Sequence, residues 1–346
     1  MRVLLIGGSG FIGPHVVSAL QRAGHETIVF HRGTARSSFA GPPPQEIIGD
    51  RRHLADRRDQ LRGLHADVVI DLVLSSGRQA RELMEVFRGA TARVVALSSC
   101  DVYRACGVLH GSEPGPLEPV PLSEDSPLRT VLRTYPPEQI QMLQKVFGWL
   151  DDEYDKIPVE REILGDAELP ATVLRLPMVY GPGDPLHRLQ PIVKRIDDGR
   201  RVILFEDRLA RWRAPRGYVG NVAAAIALAA THARSAGRVY NAGEPQCLSE
   251  FEWATRVVAI AGWSGQLVTL PAERVPPHLL MPGNADQQWT TDTTRIREEL
   301  GYREPIAQDE AIRRTIEWER ANPTTSRPHA FDYAAEDAAA KEFIGS

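Results

Sequence analysis

The sequence contains few cysteines and no long apolar run. Its 346 residues include three cysteines, an odd number without the paired spacing of a zinc site: Cys100, Cys106 and Cys247. We therefore expect reduced thiols and no metal. No apolar run approaches the roughly 20 residues that span a bilayer, and a core strand begins at once, which argues against a signal peptide. The sequence thus predicts a cytoplasmic protein without a membrane partner.

The chain also lacks an excess of charge of either sign. Its formal net charge is −4, from 41 basic and 45 acidic side chains. This balance creates no overall field that would draw the protein to a nucleic acid or to an anionic membrane. The 42% of hydrophobic residues is enough for a large buried core. These properties indicate a globular protein that acts on a small molecule, with no nucleic-acid partner.

A cluster of glycines follows the first apolar strand. Because glycine has no Cβ, backbone N–H groups and the N-terminus of the following helix can approach a pyrophosphate closely. An amphipathic segment comes next, and Gly24 stands where a helix C-cap belongs. This context predicts a dinucleotide site formed by Gly7, Gly8, Ser9, Gly10, Phe11, Ile12 and Gly13.

Apolar runs recur along the first half of the chain at the spacing of parallel strands with crossovers. They cover residues 2–6, 26–31, 67–74, 93–98 and 171–176. This pattern predicts the fold class α/β, a doubly wound parallel sheet of the Rossmann type with a second, smaller substrate lobe.

The alternation of strands and helices breaks down near residue 178, which suggests how the chain is divided. We predict a dinucleotide-binding domain over residues 1–177, with a return segment at about 215–243, and a substrate lobe over 178–214 and 244–322. Residues 323–346 form a C-terminal tail with a short helix at 334–343. The proline- and glycine-rich stretch 103–137 is predicted to be a long loop over the strand ends, a candidate lid.

Hydroxyl groups and a carboxylate follow the strand at 93–97. The residues there are Ser98, Ser99, Cys100, Asp101, Val102 and Tyr103. Open α/β folds bind their ligands at the carboxyl edge of the sheet, so we expect these side chains beside a nicotinamide. At that position they could polarise a substrate carbonyl.

Five motifs are spread over most of the chain, at residues 7–13, 98–103, 174–184, 216–222 and 240–245. Together they resemble the extended short-chain dehydrogenase/reductase superfamily, and within it the NAD-dependent epimerase/dehydratase group. In the fourth motif Asn221 stands where this family usually has aspartate. The resemblance implies an enzyme with a nicotinamide cofactor that forms homodimers.

The resemblance also implies roles for particular side chains. Ser99 corresponds to the hydroxyl that hydrogen-bonds the substrate oxygen, and Asp101 to the acid/base glutamate of the dehydratases. Cys100 replaces the aspartate of those dehydratases, which argues against a full carboxylate pair. For Ser99 and Asp101 the alternative is a structural cap of the strand end. Pro177 is implied in binding the cofactor.

The substrate lobe offers groups that could grip a diphosphate or another anion. The implied substrate contacts are Tyr180, Arg213 and Arg216. For the arginines the alternative is simple surface salt bridging.

The family's pair of a tyrosine and a lysine four residues later is missing. Lys156 matches the lysine and is expected to bind the cofactor ribose, but the tyrosine position holds Asp152. Tyr154 lies two residues before Lys156, about 200° around a regular helix, so the two side chains would point apart. If a helix begins near Pro158, however, Tyr154 precedes it and can still reach the cofactor. We favour Tyr154, with a lowered pKa, as the general acid/base and keep Asp152 as the alternative.

The second strand ends without the acidic residue that binds the NAD ribose in relatives. The position holds His31, followed by Arg32. A guanidinium without a neighbouring carboxylate suits a 2′-phosphate, so NADP is slightly favoured over NAD. Asp50 resembles the aspartate that contacts adenine, with a turn residue as the alternative. The arginines after it, at 51, 52, 57 and 58, are expected to form a solvated face.

These features favour an enzyme that uses NAD or NADP to oxidise or reduce a secondary alcohol or ketone of a polar substrate, as an epimerase or a reductase. A nucleotide-linked sugar is one candidate substrate. Because the tyrosine–lysine spacing is absent, a non-catalytic member that senses the cofactor or binds RNA is the alternative. The retained Ser99 and Lys156, together with the absence of a basic charge, favour the enzyme.

Overall fold

The computed structural model describes residues 1–33, 39–133, 135–324 and 331–344. The strands in these residues are β1 (Arg2–Ile6), β2 (Glu26–His31), β3 (Gln45–Ile48), β4 (Val68–Asp71), β5 (Arg93–Ser99), β6 (Ala171–Leu176), β7 (Met178–Tyr180), β8 (Val202–Glu206), β9 (Arg216–Tyr218), β10 (Arg238–Asn241) and β11 (Gln266–Leu270). The α-helices are α1 (Gly13–Arg22), α2 (Arg58–Arg62), α3 (Gly77–Phe87), α4 (Arg104–His110), α5 (Pro137–Val146), α6 (Lys156–Leu164), α7 (Gln190–Asp197), α8 (Asp207–Arg211), α9 (Val219–Thr231), α10 (Glu250–Ile260), α11 (Thr294–Leu300), α12 (Gln308–Ala321) and α13 (Tyr333–Ile344).

The turn between β1 and α1 depends on glycine at two points. Gly7 has a φ of +80°, a backbone conformation that L side chains rarely adopt. At the start of α1, a Cβ on Gly13 would lie 2.2 Å from the carbonyl oxygen of Gly8. The helix can therefore begin this close to the strand end only because residue 13 has no side chain.

Seven strands form one parallel sheet in the order β10, β6, β5, β4, β1, β2, β3. The connections run outward in opposite directions from β1 and β4, so the topological switch point lies between these two strands. In doubly wound sheets the crevice outside the carboxyl ends at this point is where ligands bind.

Helices cover both faces of the sheet. On one face, α1 and α9 pack with the apolar side chains of β1, β5 and β6 into a core that continues into the C-terminal part of the chain. On the other face, α2, α3 and α6 pack into a second core. Because both faces are covered, the sheet strands read as nearly continuous apolar runs.

The C-terminal part of the chain contains two small parallel pairs, β7 with β9 and β8 with β11. α13 packs against β8, where Ala340 joins a small apolar cluster with Val202 and Leu204. This part lies beyond the carboxyl ends of the sheet strands, since β7 follows β6 after a single residue, Pro177.

The predicted α/β, doubly wound fold is confirmed. The strands predicted at 2–6, 26–31 and 171–176 coincide with β1, β2 and β6, and the helix expected at 334–343 lies within α13. The long loop expected at 103–137 differs in its first part, where α4 forms and buries Cys106 and Leu109 among other residues. In the part of the chain that the structure describes, no helix combines the length and apolarity required to cross a membrane.

Candidate active site

A cavity of about 380 Å³ lies at the switch point of the sheet, a volume in the range of ligand pockets. The glycine turn after β1 forms one wall, with Gly7, Ser9, Gly10, Phe11, Ile12 and Gly13. Gly8 lies beneath the turn, where a Cβ would come within 2.9 Å of the Val29 side chain. The structure therefore brings the residues of the predicted dinucleotide turn to one cavity, with Gly8 as a packing position.

The wall fits the pyrophosphate of a dinucleotide. Gly10 is exposed, and a Cβ there would meet only the Gly7 carbonyl oxygen, 3.8 Å away. Backbone N–H groups at the start of α1 lie at this wall, and the N-terminal end of a helix favours negative charge. An anionic group can thus approach the backbone without obstruction by side chains.

The end of β2 and the residues after β3 form the rim of the cavity. His31 is buried, whereas Arg32 is exposed and donates from Nη1 to the carbonyl oxygen of Gly148 at 3.0 Å. Asp50 accepts hydrogen bonds from the backbone and side chain of Arg52, and these bonds lower the pKa of Asp50 to about 2. Among the described residues, Arg32 forms no ion pair with a carboxylate.

The expectation that Arg51 belongs to a solvated arginine face is wrong. Its side chain is buried at the cavity, with Nε 3.0 Å from Asp71 Oδ2 and Nη2 2.7 Å from the carbonyl oxygen of Gln79. Asp71 ends β4 and is completely buried, so its charge needs a cation beside it. Arg52 remains exposed, as expected.

Another part of the cavity lining consists of residues that sequence analysis did not single out. They follow directly from the end of α5: Val146, Phe147, Gly148 and Trp149. The ring centroid of Trp149 lies 5.7 Å from Nζ of Lys156. Trp149 therefore connects the dinucleotide cavity with the group of ionisable side chains around Lys156.

Asp101 is the centre of that group. It lies in a short 3-10 turn after β5 and is 2% exposed. The hydroxyl of Tyr154 donates to Asp101 Oδ2 at 3.0 Å, and the hydroxyl of Tyr135 lies 3.4 Å from the same oxygen. Within the described residues, Oδ1 has no hydrogen-bond partner. Buried polar atoms are rarely left unpaired, so Oδ1 is the Asp101 oxygen open to a further hydrogen-bond donor.

The start of α6 decides how Tyr154 and Lys156 meet. Asp155 caps the helix by accepting a hydrogen bond from the backbone of Ile157 at 2.9 Å, and the helix begins at Lys156. Tyr154 therefore precedes the helix, and Nζ of Lys156 lies 5.7 Å from its ring centroid. Nζ donates to the carbonyl oxygens of Leu74 and Leu97.

The three groups have shifted pKa values with a common cause. Burial lowers the pKa of Lys156 to about 8, although the Asp101 charge opposes this. Burial raises the pKa of Asp101, against the nearby charges of Arg129 and Lys156. Burial and the Asp101 carboxylate raise the pKa of Tyr154 far above its usual value, opposite to the lowering that we expected. In all three groups burial thus disfavours the charged form.

The other two groups at this edge have different surroundings. Asp152 is exposed and accepts a hydrogen bond from Gln144 at 2.7 Å, so the structure separates it from the Asp101 group. The hydroxyl of Ser99 accepts a hydrogen bond from the Asp101 backbone at 3.2 Å. Ser99 thus caps the turn that orients Asp101, and its own hydrogen is not used by that bond.

The predicted substrate residues do not form one group. Tyr180 is buried and donates to Glu244 at 2.7 Å, and Arg216 is ion-paired with Glu250; both line a cavity of about 160 Å³. Arg213 lines a different, shallow depression and pairs with Glu252 at 2.8 Å, about half exposed.

Pro177 also lies away from the dinucleotide cavity. It packs near Gly217 and Gly243, so close that a Cβ on Gly217 would lie 3.0 Å from its ring. Its role in the structure is to join β6 to β7.

A comparison with known families agrees with this architecture. Residues 3–243 match the model of the NAD dependent epimerase/dehydratase family, well over half of the chain. The chain belongs to this family. It is accordingly an enzyme of the NAD-dependent epimerase/dehydratase type, and the cavity beside the glycine turn is where the family's cofactor fits.

Relatives extend over nearly the whole length of this family member. The 2-alkyl-3-oxoalkanoate reductase of Stenotrophomonas maltophilia is 25% identical, over 91% of this chain and 98% of its own. The dTDP-glucose 4,6-dehydratase of Streptomyces griseus is also 25% identical, over 91% and 93%. Among solved structures, MoeE5 in complex with UDP-glucose and NAD has a TM-score of 0.65 at 23% identity, covering 94% of this chain and 100% of that one.

This epimerase/dehydratase family member departs from its family at the tyrosine position, and sequence reasoning missed the residues that surround the departure. Tyr135 and Arg129 come from the irregular segment before α5, and Arg129 donates from Nε to the backbone carbonyl of Asp101 at 2.6 Å. Neither belongs to a motif. The sequence signal was their place in the proline- and glycine-rich stretch 103–137, predicted as a candidate lid over the strand ends.

Proposed function

We propose that this enzyme transfers hydride between NAD(P) and a secondary alcohol or ketone of a polar substrate, with Tyr154 and Asp101 moving the proton. The observation that carries the proposal is the 3.0 Å hydrogen bond from the Tyr154 hydroxyl to Asp101, beside a buried lysine and one side chain away from the dinucleotide cavity. The nicotinamide, when bound, supplies or accepts the hydride.

The direction of this hydrogen bond gives each residue its role. Because Tyr154 donates its hydrogen to Asp101, its oxygen is free to accept a hydrogen bond from a substrate hydroxyl. As hydride leaves the substrate carbon, the substrate proton passes to Tyr154 and the tyrosine proton passes to Asp101. Reduction of a ketone reverses both transfers. Ser99 can donate its remaining hydrogen to the substrate oxygen, and Lys156 stabilises the Asp101 carboxylate.

The rim of the cavity supports a preference for NADP. Arg32 is exposed, carries no paired carboxylate among the described residues, and stands next to His31, where an acidic residue would select NAD. A 2′-phosphate suits such a guanidinium. The solved structures of MoeE5 and of the dTDP-glucose 4,6-dehydratase from Bacillus anthracis are complexes with NAD, which supports binding of a nicotinamide dinucleotide in this fold.

The substrate class that we propose is a nucleotide-linked sugar. Two features support it: the dTDP-glucose and UDP-glucose named for the relative and the structural neighbour, and the cavity beside Tyr180 that holds a buried arginine and the Trp253 ring. The name of the Stenotrophomonas reductase supports the alternative of an oxo acid. Both classes share the carbonyl or secondary alcohol that the Tyr154–Asp101 pair can serve. We also propose that the enzyme is a cytoplasmic homodimer. Light scattering tests whether it is a dimer.

The test combines substrates with one substitution. UDP-glucose, dTDP-glucose and a 3-oxo acid are incubated with enzyme and either cofactor, and products are followed by NMR and by the absorbance of reduced nicotinamide. Tyr154→Phe is expected to lower turnover by at least about a hundredfold while calorimetry shows unchanged cofactor binding. Tyr333→Phe, in α13, is the matched control and should retain full activity.

Two results would count against the proposal. Full turnover in Tyr154→Phe would remove this residue from proton transfer. Cofactor binding without turnover of any substrate class, together with no effect of Ser99→Ala, would favour a non-catalytic sensor.

A further inference from the structure

We propose that residues 147–149 form a strap that retains the bound dinucleotide and that Arg32 holds this strap in place. The strap consists of Phe147, Gly148 and Trp149. The inference rests on the proposed function in one respect, namely that the cavity takes NAD or NADP. It adds a binding element and a second role for Arg32 beyond contact with a 2′-phosphate.

The strap and the glycine turn line the same cavity. All three strap residues belong to its lining, as do Gly10 and Phe11. The rings of Phe147 and Trp149 are tilted, with centroids 5.8 Å apart. These two aromatic rings provide flat apolar surface against the rings of a dinucleotide.

The two ends of the strap are held very differently. On its C-terminal side, Asp151 accepts a hydrogen bond from Arg78 at 2.6 Å and its backbone donates to the Ser75 hydroxyl at 2.7 Å. On its N-terminal side, α5 buries only Ile140, while Met142 is 66% exposed. Few buried apolar contacts mark a segment of low local stability. The strap can therefore move about Asp151 when α5 shifts.

Arg32 joins the strap to the body of the protein. Its Nη1 donates to the carbonyl oxygen of Gly148 at 3.0 Å, across a sequence separation of 116 residues. A Cβ at residue 148 would lie 3.4 Å from Nη2, so the guanidinium lies close along the strap backbone. This contact involves no 2′-phosphate, and Arg32 should therefore slow the release of either cofactor.

The rate of NADH release separates this role from phosphate recognition. Arg32→Ala is expected to release NADH roughly three- to tenfold faster in stopped-flow displacement, the effect of losing one exposed hydrogen bond. If Arg32 served only the 2′-phosphate, NADH release would stay unchanged and only NADPH would bind more weakly, which would overturn the proposal. Arg57→Ala removes the same charge from an exposed site outside the cavity and should match the wild type.

Energy transfer from tryptophan to bound NADH tests the position of the strap. The chain has six tryptophans, and Trp149→Phe is expected to reduce the transfer more than Trp263→Phe, whose tryptophan lies outside the cavity lining. Undiminished energy transfer in Trp149→Phe would overturn the proposed position of the strap while leaving the proposed function intact. If wild-type enzyme bound neither NADH nor NADPH in calorimetry, the proposed function itself would fail.

Discussion

Two buried carboxylates stand at the same edge of the sheet, beside β5, and differ in their partners. Both oxygens of Glu160 are paired: Arg175 reaches them at 3.0 and 2.7 Å, and Ser98 donates at 2.5 Å. Asp101 is equally buried. Its Oδ2 accepts hydrogen bonds only from tyrosine hydroxyls, and its Oδ1 has no partner among the described residues.

The difference lies in where the neighbouring arginine points. Arg175 directs its guanidinium at the Glu160 carboxylate and forms a buried ion pair with it. Arg129 instead donates a hydrogen bond from Nε to the backbone carbonyl of Asp101, and it forms an ion pair with Asp155 at 3.2 Å. A saturated ion pair resists proton exchange, whereas a carboxylate held by neutral hydroxyls can gain and lose a proton. The difference supports a structural role for Glu160 and the proposed role of Asp101 in proton transfer.

The largest effect is expected for Asp101→Asn. Removing the carboxylate should lower kcat about a thousandfold, because no other group takes the proton from Tyr154. The melting temperature should stay the same or rise, since burial disfavours the Asp101 charge. Steady-state kinetics and calorimetry check both. Asp152→Asn is the exposed control and should behave as wild type; a large loss of stability in Asp101→Asn would contradict the contrast with Glu160.

Glu160→Gln should act on stability instead. The substitution leaves the Arg175 charge buried without a counter-charge, and about 3 kcal/mol of unfolding free energy should be lost in urea titrations. Glu162→Gln, in the same helix but in a more exposed pair with Arg81, should change it by less than about 0.5 kcal/mol. The double variant with Arg175→Met should recover part of the loss. Equal stability of both single variants would break the comparison.

The pH profile of alcohol oxidation should show the titration of Lys156 as well as that of Asp101. Activity should rise as pH increases through the Asp101 pKa, which lies above the usual range for aspartate, because only the ionised carboxylate accepts a proton. It should fall as pH passes about 8, where Lys156 loses the charge that stabilises this carboxylate. Lys156→Met should abolish the alkaline fall. An alkaline limb that persists in this variant would assign it to another group.

The smallest effect is expected for Tyr135→Phe. Its hydroxyl is 3.4 Å from Asp101 Oδ2, near the limit for a hydrogen bond, whereas that of Tyr154 is 3.0 Å away. Turnover should fall only about two- to fivefold. A loss as large as in Tyr154→Phe would show that the two tyrosines share the proton.

Local features of the fold were predictable from sequence. β1, β2 and β6 coincide with apolar runs because strands covered on both faces need apolar side chains at every position. The glycine turn was also predictable, because it depends on a positive φ at Gly7 and on a close approach of the backbone at Gly13. The start of α6 before Pro158 followed from the missing proline N–H.

The pKa of Tyr154 could not be obtained in that way. Its direction depends on burial and on the distance to Asp101, 53 residues earlier in the chain. Likewise Arg51 belongs to a basic run in the sequence, but the buried Asp71 turns it inward. Charges that meet only in the folded chain decide both outcomes.

The sequence alone therefore determined the fold class, the family and the glycine turn, because each depends on neighbouring residues and on the period of apolar side chains. Only the tertiary structure decided which carboxylate is left unpaired, which tyrosines reach it and that residues 147–149 cover the cavity. Those properties depend on distances between segments far apart in the chain, and on the loss of water around charges that folding brings together.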